Sequence, residues 1–215
     1  MDSRQFLGFI ISMLAITNPP GSLAVFLGMT AEKSEDERRH IALITTVTIF
    51  LVLVIITWAG TPLLHLFGIS LPAFEITGGI IILLRALTML HSQDTPTSRT
   101  AQEVVQEVNK ESIAVVPLAI PIIAGPGAMT NTIIFSHVFP GYLQKIYICL
   151  GILFISLIMG AVLFFSTRIS KIIGETGIKT VTRLMGLILA AIAMSMITAG
   201  LKDVFPAWGI ITPTS

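Results

Sequence analysis

Charged residues are scarce in this chain. Asp, Glu, Lys and Arg together make up 12% of the 215 residues, whereas 53% are hydrophobic and the mean hydropathy is +0.89. A water-soluble globule of this length needs more polar surface than that to cover its core. The composition therefore excludes an ordinary soluble domain and predicts a protein that lies mostly in a lipid bilayer.

Paired cysteines, clustered histidines and runs of basic residues are also missing. Cys149 is the only cysteine, so no internal disulfide can form, and His40, His65, His91 and His137 are too dispersed to predict a metal site. The net charge is only +1, and no run of Lys or Arg interleaves with aromatic residues, so the pattern for nucleic-acid binding is absent. We therefore expect no cofactor, no metal and no nucleic-acid partner.

Long uncharged runs divide the chain into candidate spans. A membrane-spanning helix needs about 20 apolar residues, and the runs predict an all-α membrane protein with six transmembrane helices. The second run is interrupted by Gly60, Thr61 and Pro62, so helix 2 is expected to end near Trp58. The expected spans are helix 1 within Gln5–Ala31, helix 2 from Ile41 to Trp58, helix 3 at Leu71–Leu90, helix 4 within Ser112–Gln144, helix 5 at Ile146–Thr167 and helix 6 at Thr182–Leu201.

The distribution of Lys and Arg predicts the orientation. Ten of the 13 basic residues lie on one side of the predicted bundle and three on the other. Positively charged loops stay on the cytoplasmic side. We therefore expect a multi-pass protein of the bacterial inner membrane with both termini in the periplasm. The N-terminal apolar run is longer than that of a signal peptide and is interpreted as the first span.

The chain resembles itself at an offset of 107 residues. At that offset the segment Asn18 to Gly21 aligns with Gly125 to Ala128, and Gly79 aligns with Gly186. Each half then holds three helices, and this odd number forces the second half to enter the membrane from the opposite side. The sequence therefore predicts two inverted three-helix repeats, residues 1–90 and 112–215, joined by a polar cytoplasmic linker at residues 91–111.

Helices 1 and 4 each carry a break near the middle of an uncharged run. Proline lacks the N–H that continues a helix, and glycine adopts conformations that other residues avoid. The segments Asn18-Pro19-Pro20-Gly21 and Gly125-Pro126-Gly127 are therefore expected to unwind both helices at mid-membrane. An unpaired backbone group is costly in hydrocarbon, so such a break needs protein, water or a ligand to satisfy it.

The two breaks define a candidate substrate site. The half-helices that start near Gly21 and Gly127 are expected to present free N–H groups to a carboxylate, while carbonyl groups near Thr17 and Ala124 suit an ammonium group or a cation. The alternative is that the breaks only kink two packed helices, with Asn18 capping the freed backbone. The predicted substrate-binding residues are Thr17, Asn18, Pro19, Gly21, Gly125, Pro126, Gly127, Thr130 and Asn131.

Helix 3 carries two charged residues within its predicted span. Glu75 lies near the outer end and is a candidate proton relay, although a carboxylate at this depth can also simply reach the interface. Arg85 lies near the cytoplasmic end, and its long side chain is expected to extend to the interface there.

Several segments resemble the MarC family of bacterial inner-membrane proteins. They are Glu111 to Pro121, the following Gly125 to Ala128, the break Asn18 to Gly21, Leu66-Phe67-Gly68-Ile69, and Thr182 to Leu187 at the start of helix 6. The resemblance covers nearly the whole chain. It implies a multi-pass permease, in some members for small neutral amino acids such as glycine and alanine, with the substrate site at the two helix breaks.

The sequence as a whole predicts a secondary transporter of small neutral amino acids, with proton coupling as an option, that works by alternating access at a midplane site. A channel-like pore or a transporter of another small solute is the alternative, because inverted repeats and glycine breaks occur in channels as well. No catalytic pair is placed to face the interior, so an enzyme is not expected. A homo-oligomer and a scaffold role stay open.

Overall fold

Helical segments make up the part of the chain that the computed structural model describes, residues 1–91 and 114–205. They are α1 (Ser3–Thr17), α2 (Pro19–Met29), α3 (Glu35–Leu66), α4 (Leu71–His91), α5 (Ala114–Ile123), α6 (Pro126–Val138), α7 (Tyr142–Phe164) and α8 (Ser166–Val204). Neither described range contains a strand, so the predicted all-α class is confirmed. Apart from His91, the predicted linker lies outside the described residues.

Five of the helical stretches are long and apolar enough to cross a membrane, and a sixth span results if the bent pair of α5 and α6 forms one. The pair of α1 and α2 counts as a single span, Ser3–Met29. Large apolar side chains cover the outer faces of the bundle; Leu51 on α3 is 50% exposed and Phe154 on α7 is 53% exposed. Such a surface is unfavourable in water and indicates contact with lipid.

Helix α3 is longer than the sequence predicts. The expected end near Trp58 is wrong, because the helix continues through Pro62 to Leu66. At its start, the Ser34 hydroxyl accepts a hydrogen bond from the Glu37 N–H (3.3 Å), and the Glu37 carboxylate accepts one from the Ser34 N–H (3.0 Å). Pro62 removes one backbone hydrogen bond, whereas ending the helix inside the membrane would leave about four carbonyl groups unpaired.

Helix α8 also extends beyond its predicted bounds. The expected start at Thr182 is wrong, because the helix runs from Ser166 to Val204 and is interrupted only at Gly174, whose φ is +70°. The part of α8 that is long and apolar enough to cross a membrane begins at Thr176. Charged residues at the ends of a span are solvated at the interface, so they do not end the helix there.

Helices α3 and α7 pack against each other in opposite directions. Thr46 lies beside Gly160, and a Cβ built on that glycine would be 2.5 Å from the Thr46 Oγ1. Further along α3, the Trp58 ring lies 5.5 Å from the ring of Tyr142, between centroids. Because residue numbers rise along α3 as they fall along α7, the two helices are antiparallel.

Helices α4 and α8 form a second antiparallel pair. A Cβ built on Gly200 would lie 2.7 Å from the carbonyl oxygen of Pro72, and a Cβ built on Gly186 would lie 3.1 Å from the Cβ of Met89. These contacts join opposite ends of the two helices. Small residues at such positions let membrane helices approach closely.

One end of the bundle is held by Arg38. Its guanidinium donates hydrogen bonds to the carbonyl oxygens of Thr30 (2.9 Å) and Ala31 (3.0 Å) and to the hydroxyl of Thr167 (3.4 Å). The α2–α3 connection is therefore fixed against the junction of α7 and α8. This contact ties the N-terminal half of the chain to the C-terminal half.

The centre of the bundle is mostly apolar, and half of its buried polar side chains lie at the two helix breaks. The largest fully buried side chains include Phe9, Met13, Ile16, Phe26, Ile49, Ile82 and Ile152. Buried polar side chains near the ends of α1 and the starts of α2 and α6 are Thr17, Asn18, Ser22, Thr130, Asn131 and Thr132. The fold therefore places polar groups of two separate chain segments inside a mostly apolar interior.

Candidate functional site

The first helix break is centred on Asn18. Helix α1 ends at Thr17, α2 begins at Pro19, and Asn18 between them has a left-handed backbone with φ 47° and ψ 72°. Its N–H still donates to the carbonyl oxygen of Leu14 (3.1 Å). Asn tolerates this conformation better than most residues, and proline is well suited to the first position of a helix.

The backbone groups at the start of α2 are satisfied internally. Pro19 and Pro20 have no N–H, the Gly21 N–H donates to the side-chain oxygen of Asn18 (3.3 Å), and the Ser22 N–H donates to the Asn18 carbonyl (2.9 Å). The Ser22 hydroxyl also donates to the Thr17 carbonyl (2.8 Å). The expected free N–H groups near Gly21 are therefore absent. At this break the structure agrees with the alternative interpretation, in which Asn18 caps the freed backbone of a kinked helix.

The second break, at Gly125 and Pro126, is organised differently. Segments α5 and α6 are bent by 60° across it. A Cβ on Gly125 would overlap the carbonyl oxygen of Pro121, so only glycine fits there without a shift. Gly125 provides no side-chain cap, and no residue of the described ranges accepts a hydrogen bond from the N–H of Gly127 or Ala128. The predicted free N–H groups are thus found at α6.

The structure brings α6 into contact with α1, next to the first break. A Cβ on Gly127 would lie 3.4 Å from Cγ2 of Ile16, the residue before Thr17. One turn further along α6, the side-chain amide of Asn131 donates a hydrogen bond to the hydroxyl of Ser12 (3.0 Å). Gly127 and Asn131 of the second break therefore lie against the last turns of α1, just before the first break.

Thr130 differs from the other buried threonines of the bundle. Thr17 donates its hydroxyl proton to the Met13 carbonyl (2.9 Å), and Thr132 donates to the Ala128 carbonyl (2.8 Å), four residues back in each case. Thr130 is only 3% exposed, yet its hydroxyl has no hydrogen bond in the described part of the chain. The Thr130 side chain packs against Gly78 of α4, where a Cβ would overlap it.

Helix α4 contributes residues that the sequence did not identify. A Cβ on Gly127 would lie 2.7 Å from Cγ1 of Ile82, and the amide nitrogen of Asn18 lies 3.7 Å from the sulfur of Met89. Together with Gly78 these residues are spaced four and seven positions apart along α4, which places them on one face. This spacing could have indicated from the sequence that the three residues share a face of α4. It does not identify the helix that this face contacts.

Glu75 lies outside the group of buried polar residues. It is partly buried on α4, and a Cβ built on Gly200 of α8 would lie 3.2 Å from the Glu75 Cβ. It comes three residues before Gly78, which contacts Thr130. The role of Glu75 as a proton relay stays a prediction.

Metal ligation finds no structural support within residues 1–91 and 114–205. No group of three or more His, Cys, Asp or Glu side chains in these ranges is arranged to hold a metal ion. The His65 and His137 rings approach to 6.5 Å between centroids, at the ends of α3 and α6, and both residues are exposed. The buried polar group around the breaks consists instead of hydroxyl, amide and backbone groups.

A bundle of apolar spans with two interrupted helices meeting around buried polar groups defines a polytopic integral membrane protein. The chain belongs to the family described as MarC family integral membrane protein, which matches residues 3–205. This confirms the resemblance noted from the motifs.

The curated relatives cover nearly all of the chain. A UPF0056 membrane protein of Buchnera aphidicola subsp. Schizaphis graminum is 34% identical over 206 residues, which cover 96% of each chain. The UPF0056 membrane protein YhcE of Escherichia coli is 31% identical over 95% of each chain, and YvbG of Bacillus subtilis is 34% identical over 91% of this chain and 93% of its own. No solved structure matches.

Proposed function

We propose that this protein is a secondary transporter of small neutral amino acids of the glycine and alanine type, working by alternating access. The observation that carries the proposal is the meeting of two broken spans around buried polar groups. Polar groups inside a membrane protein are costly and usually line a substrate or ion pathway. Discontinuous helices that face each other at mid-membrane are a recurrent way to build such a site in transporters.

Helix starts at matched positions support the inverted repeat on which alternating access would rest. Helix α2 begins at Pro19 and α6 at Pro126, while α3 begins at Glu35 and α7 at Tyr142. Both pairs of residues are separated by 107 positions, the offset at which the sequence resembles itself. These two pairs of corresponding elements therefore start at equivalent residues, whereas α8 starts 12 positions before the equivalent of the α4 start.

Reciprocal contacts between α4 and α8 support the same arrangement. A Cβ on Gly79 would lie 2.9 Å from the Ala193 carbonyl oxygen, and a Cβ on Gly186 would lie 3.3 Å from the Ala86 carbonyl oxygen. The 107-residue offset relates Gly79 to Gly186 and Ala86 to Ala193. Two units related by a two-fold axis exchange contacts in this way. The antiparallel packing of α3 with α7 and of α4 with α8 is what an inverted repeat requires.

We infer six spans, with α5 and α6 forming the fourth as a bent pair. The chain then crosses the membrane an even number of times, so both termini share a side. Together with the distribution of Lys and Arg, this favours periplasmic termini in a bacterial inner membrane. Rocking of the two halves about the breaks would expose the site to each side of the membrane in turn. We therefore propose a carrier and not an enzyme.

The chemistry of the breaks favours a small substrate with a carboxylate. The N–H groups of Gly127 and Ala128, which have no acceptor among the described residues, lie at the positive end of the α6 dipole, where an anionic group is stabilised. Gly127 packs directly against Ile82 and Ile16, so the space around it is narrow. Glycine and alanine are among the smallest molecules that combine a carboxylate with an amino group.

Uptake into proteoliposomes tests this proposal. Purified protein should take up labelled alanine saturably, with a faster rate in a proton gradient if protons are coupled. Gly127→Leu is expected to abolish uptake, because its side chain would overlap Ile82 and block the narrow space at the start of α6. Gly28→Leu is the matched control and should transport normally, because no atom lies within 4 Å of a Cβ built on Gly28.

The alternative functions predict different results in the same assay. A channel-like pore would give flux that does not saturate with substrate concentration. A transporter of another small solute would leave alanine and glycine outside while the folded protein accumulates that solute. Folded wild-type protein that takes up neither amino acid under any gradient would contradict the amino-acid proposal.

A further inference from the structure

Arg85 lies on the same face of α4 as the residues that contact both helix breaks. Gly78 packs against Thr130, Ile82 lies against Gly127, and Met89 lies beside Asn18. Arg85 falls between Ile82 and Met89, three residues after the first and four before the second. Residues at these intervals line one side of a helix. Arg85 is therefore on the side of α4 that faces the candidate site.

Within residues 1–91 and 114–205, Arg85 has no negatively charged partner. Arg85 is largely covered by the protein, and its guanidinium makes no hydrogen bond or ion pair within the described residues. The nearest acidic residue on α4 is Glu75, ten positions earlier, which is about 15 Å along a helix. A charged side chain inside a membrane span is costly, and such residues usually pair or mark a substrate pathway.

Helix geometry predicts that the Arg85 side chain leans toward the turn of α4 that carries Ile82. Long side chains in helices lean toward the N-terminus of their own helix, over the residues three and four positions earlier. For Arg85 this direction leads to Ile82, whose side chain contacts Gly127. The expected direction along α4 is therefore away from the cytoplasmic end, contrary to extension toward that interface.

The α6 side offers groups that suit the same negatively charged ligand. The N–H groups of Gly127 and Ala128 have no partner in the described ranges, and Ala128 is 1% exposed. Thr130, which is also buried, faces α4 with a hydroxyl that makes no hydrogen bond there. An arginine and several aligned N–H and O–H donors are the usual components of a carboxylate site.

We propose that Arg85, the N–H groups of Gly127 and Ala128, and the Thr130 hydroxyl form the subsite for the carboxylate of the transported molecule. This inference rests on the proposed transport function and narrows it. The carboxylate becomes the required feature of the substrate, and small monocarboxylates without an amino group become ligands as well. Binding of such a ligand would neutralise the guanidinium charge.

Binding to the purified protein, measured as thermal stabilisation in detergent, tests the subsite. The probes are alanine, propionate, which lacks the amino group, and alaninamide, which lacks the carboxylate. Alanine and propionate are expected to stabilise the wild type, and alaninamide is not. This comparison needs no variant, so it stands even if substitutions at Arg85 impair folding.

Two substitutions then separate carboxylate binding from contact with lipid headgroups. Arg85→Gln is expected to weaken alanine and propionate binding by roughly tenfold to a hundredfold, because charge-assisted hydrogen bonds are lost. Arg85→Lys keeps a charge that can still reach the interface but loses the two-pronged geometry of guanidinium, so it should also weaken binding. Arg168→Gln, at the start of α8, is the control and should bind like the wild type.

Each outcome decides between the subsite and the transport proposal. Equal stabilisation by alanine and alaninamide, unchanged affinity in Arg85→Gln, or no stabilisation by any carboxylate would overturn the subsite. Saturable alanine uptake that is insensitive to Arg85→Gln would leave the transport proposal standing and overturn only the subsite. Carboxylate binding that depends on Arg85, without uptake by the wild type, would support the subsite and contradict transport.

Discussion

Asn18 combines two contributions to stability that different substitutions can separate. Its φ of 47° lies in the left-handed region, where residues other than glycine, Asn and Asp are disfavoured by roughly 1–2 kcal/mol. Its side-chain oxygen accepts a hydrogen bond from the Gly21 N–H (3.3 Å) and so caps α2. The backbone conformation and the cap therefore depend on the same residue but on different atoms.

Asn18→Ala removes the cap and also places a Cβ without a polar group in the left-handed conformation. We expect the free energy of unfolding to fall by about 2–3 kcal/mol, the sum of a lost cap and the backbone penalty. Asn18→Gly removes the same side chain, but glycine adopts this conformation freely. Its expected loss is therefore about 1 kcal/mol or less.

Reversible unfolding by SDS in mixed micelles measures both variants against the wild type. The expected order of stability is wild type, then Asn18→Gly, then Asn18→Ala. Equal losses in the two variants would refute the backbone contribution, and a glycine variant less stable than the alanine variant would refute the left-handed conformation itself. Alanine uptake by Asn18→Gly then shows whether the amide also binds substrate, because folding is nearly preserved.

Two further predictions concern helix contacts between the halves. Gly79→Ala is expected to lower the free energy of unfolding by about 1–3 kcal/mol, because its Cβ would lie 2.9 Å from the Ala193 carbonyl oxygen. Gly186→Ala should lower it by less than about 1 kcal/mol, because the atom nearest to its Cβ would belong to a side chain, at 3.1 Å. Equal losses in SDS unfolding would contradict this contrast. A double-mutant cycle of Ser12→Ala and Asn131→Ala should give a coupling of about 0.6–1.7 kcal/mol, and no measurable coupling would contradict their hydrogen bond.

The positions of the helix breaks were predictable because they depend on local chemistry. Proline cannot continue the hydrogen-bond ladder, so both breaks were located from the sequence, although the new helices start at Pro19 and Pro126, slightly before the expected starts near Gly21 and Gly127. Pro62 shows where this argument fails, because α3 passes through it. Inside a membrane, losing one hydrogen bond is less costly than exposing a helix end, so the same residue type has a different effect there.

The partners of the site residues were not predictable, because they come from distant parts of the chain. Asn131 and Ser12 are 119 positions apart, and their hydrogen bond depends on how α6 crosses α1. The difference between α2, which Asn18 caps, and α6, whose first N–H groups have no acceptor among the described residues, does lie in the local sequence. The difference comes from Gly125, which has no side chain with which to cap the helix.

Ser156 on α7 has a buried hydroxyl group. We predict that this hydroxyl does not stabilise the fold. It is 1% exposed, and its oxygen has no hydrogen-bond partner among the described residues. Leaving such a group unpaired costs about 1–3 kcal/mol, so Ser156→Ala should leave the free energy of unfolding unchanged or raise it. Ser136→Ala is the matched control, because Ser136 is equally buried but donates to the Ile133 carbonyl (3.0 Å). Its removal should cost about 1 kcal/mol.

The same pair of variants connects this hydroxyl to transport. If Ser156→Ala destabilises the protein as much as Ser136→Ala does, the Ser156 hydroxyl has a partner in the membrane and the prediction is wrong. If stability is unchanged but alanine uptake falls, the hydroxyl is used in another conformation of the transport cycle, because a group without a partner in one state can gain one in another. An unchanged uptake with unchanged stability would assign Ser156 no role in either.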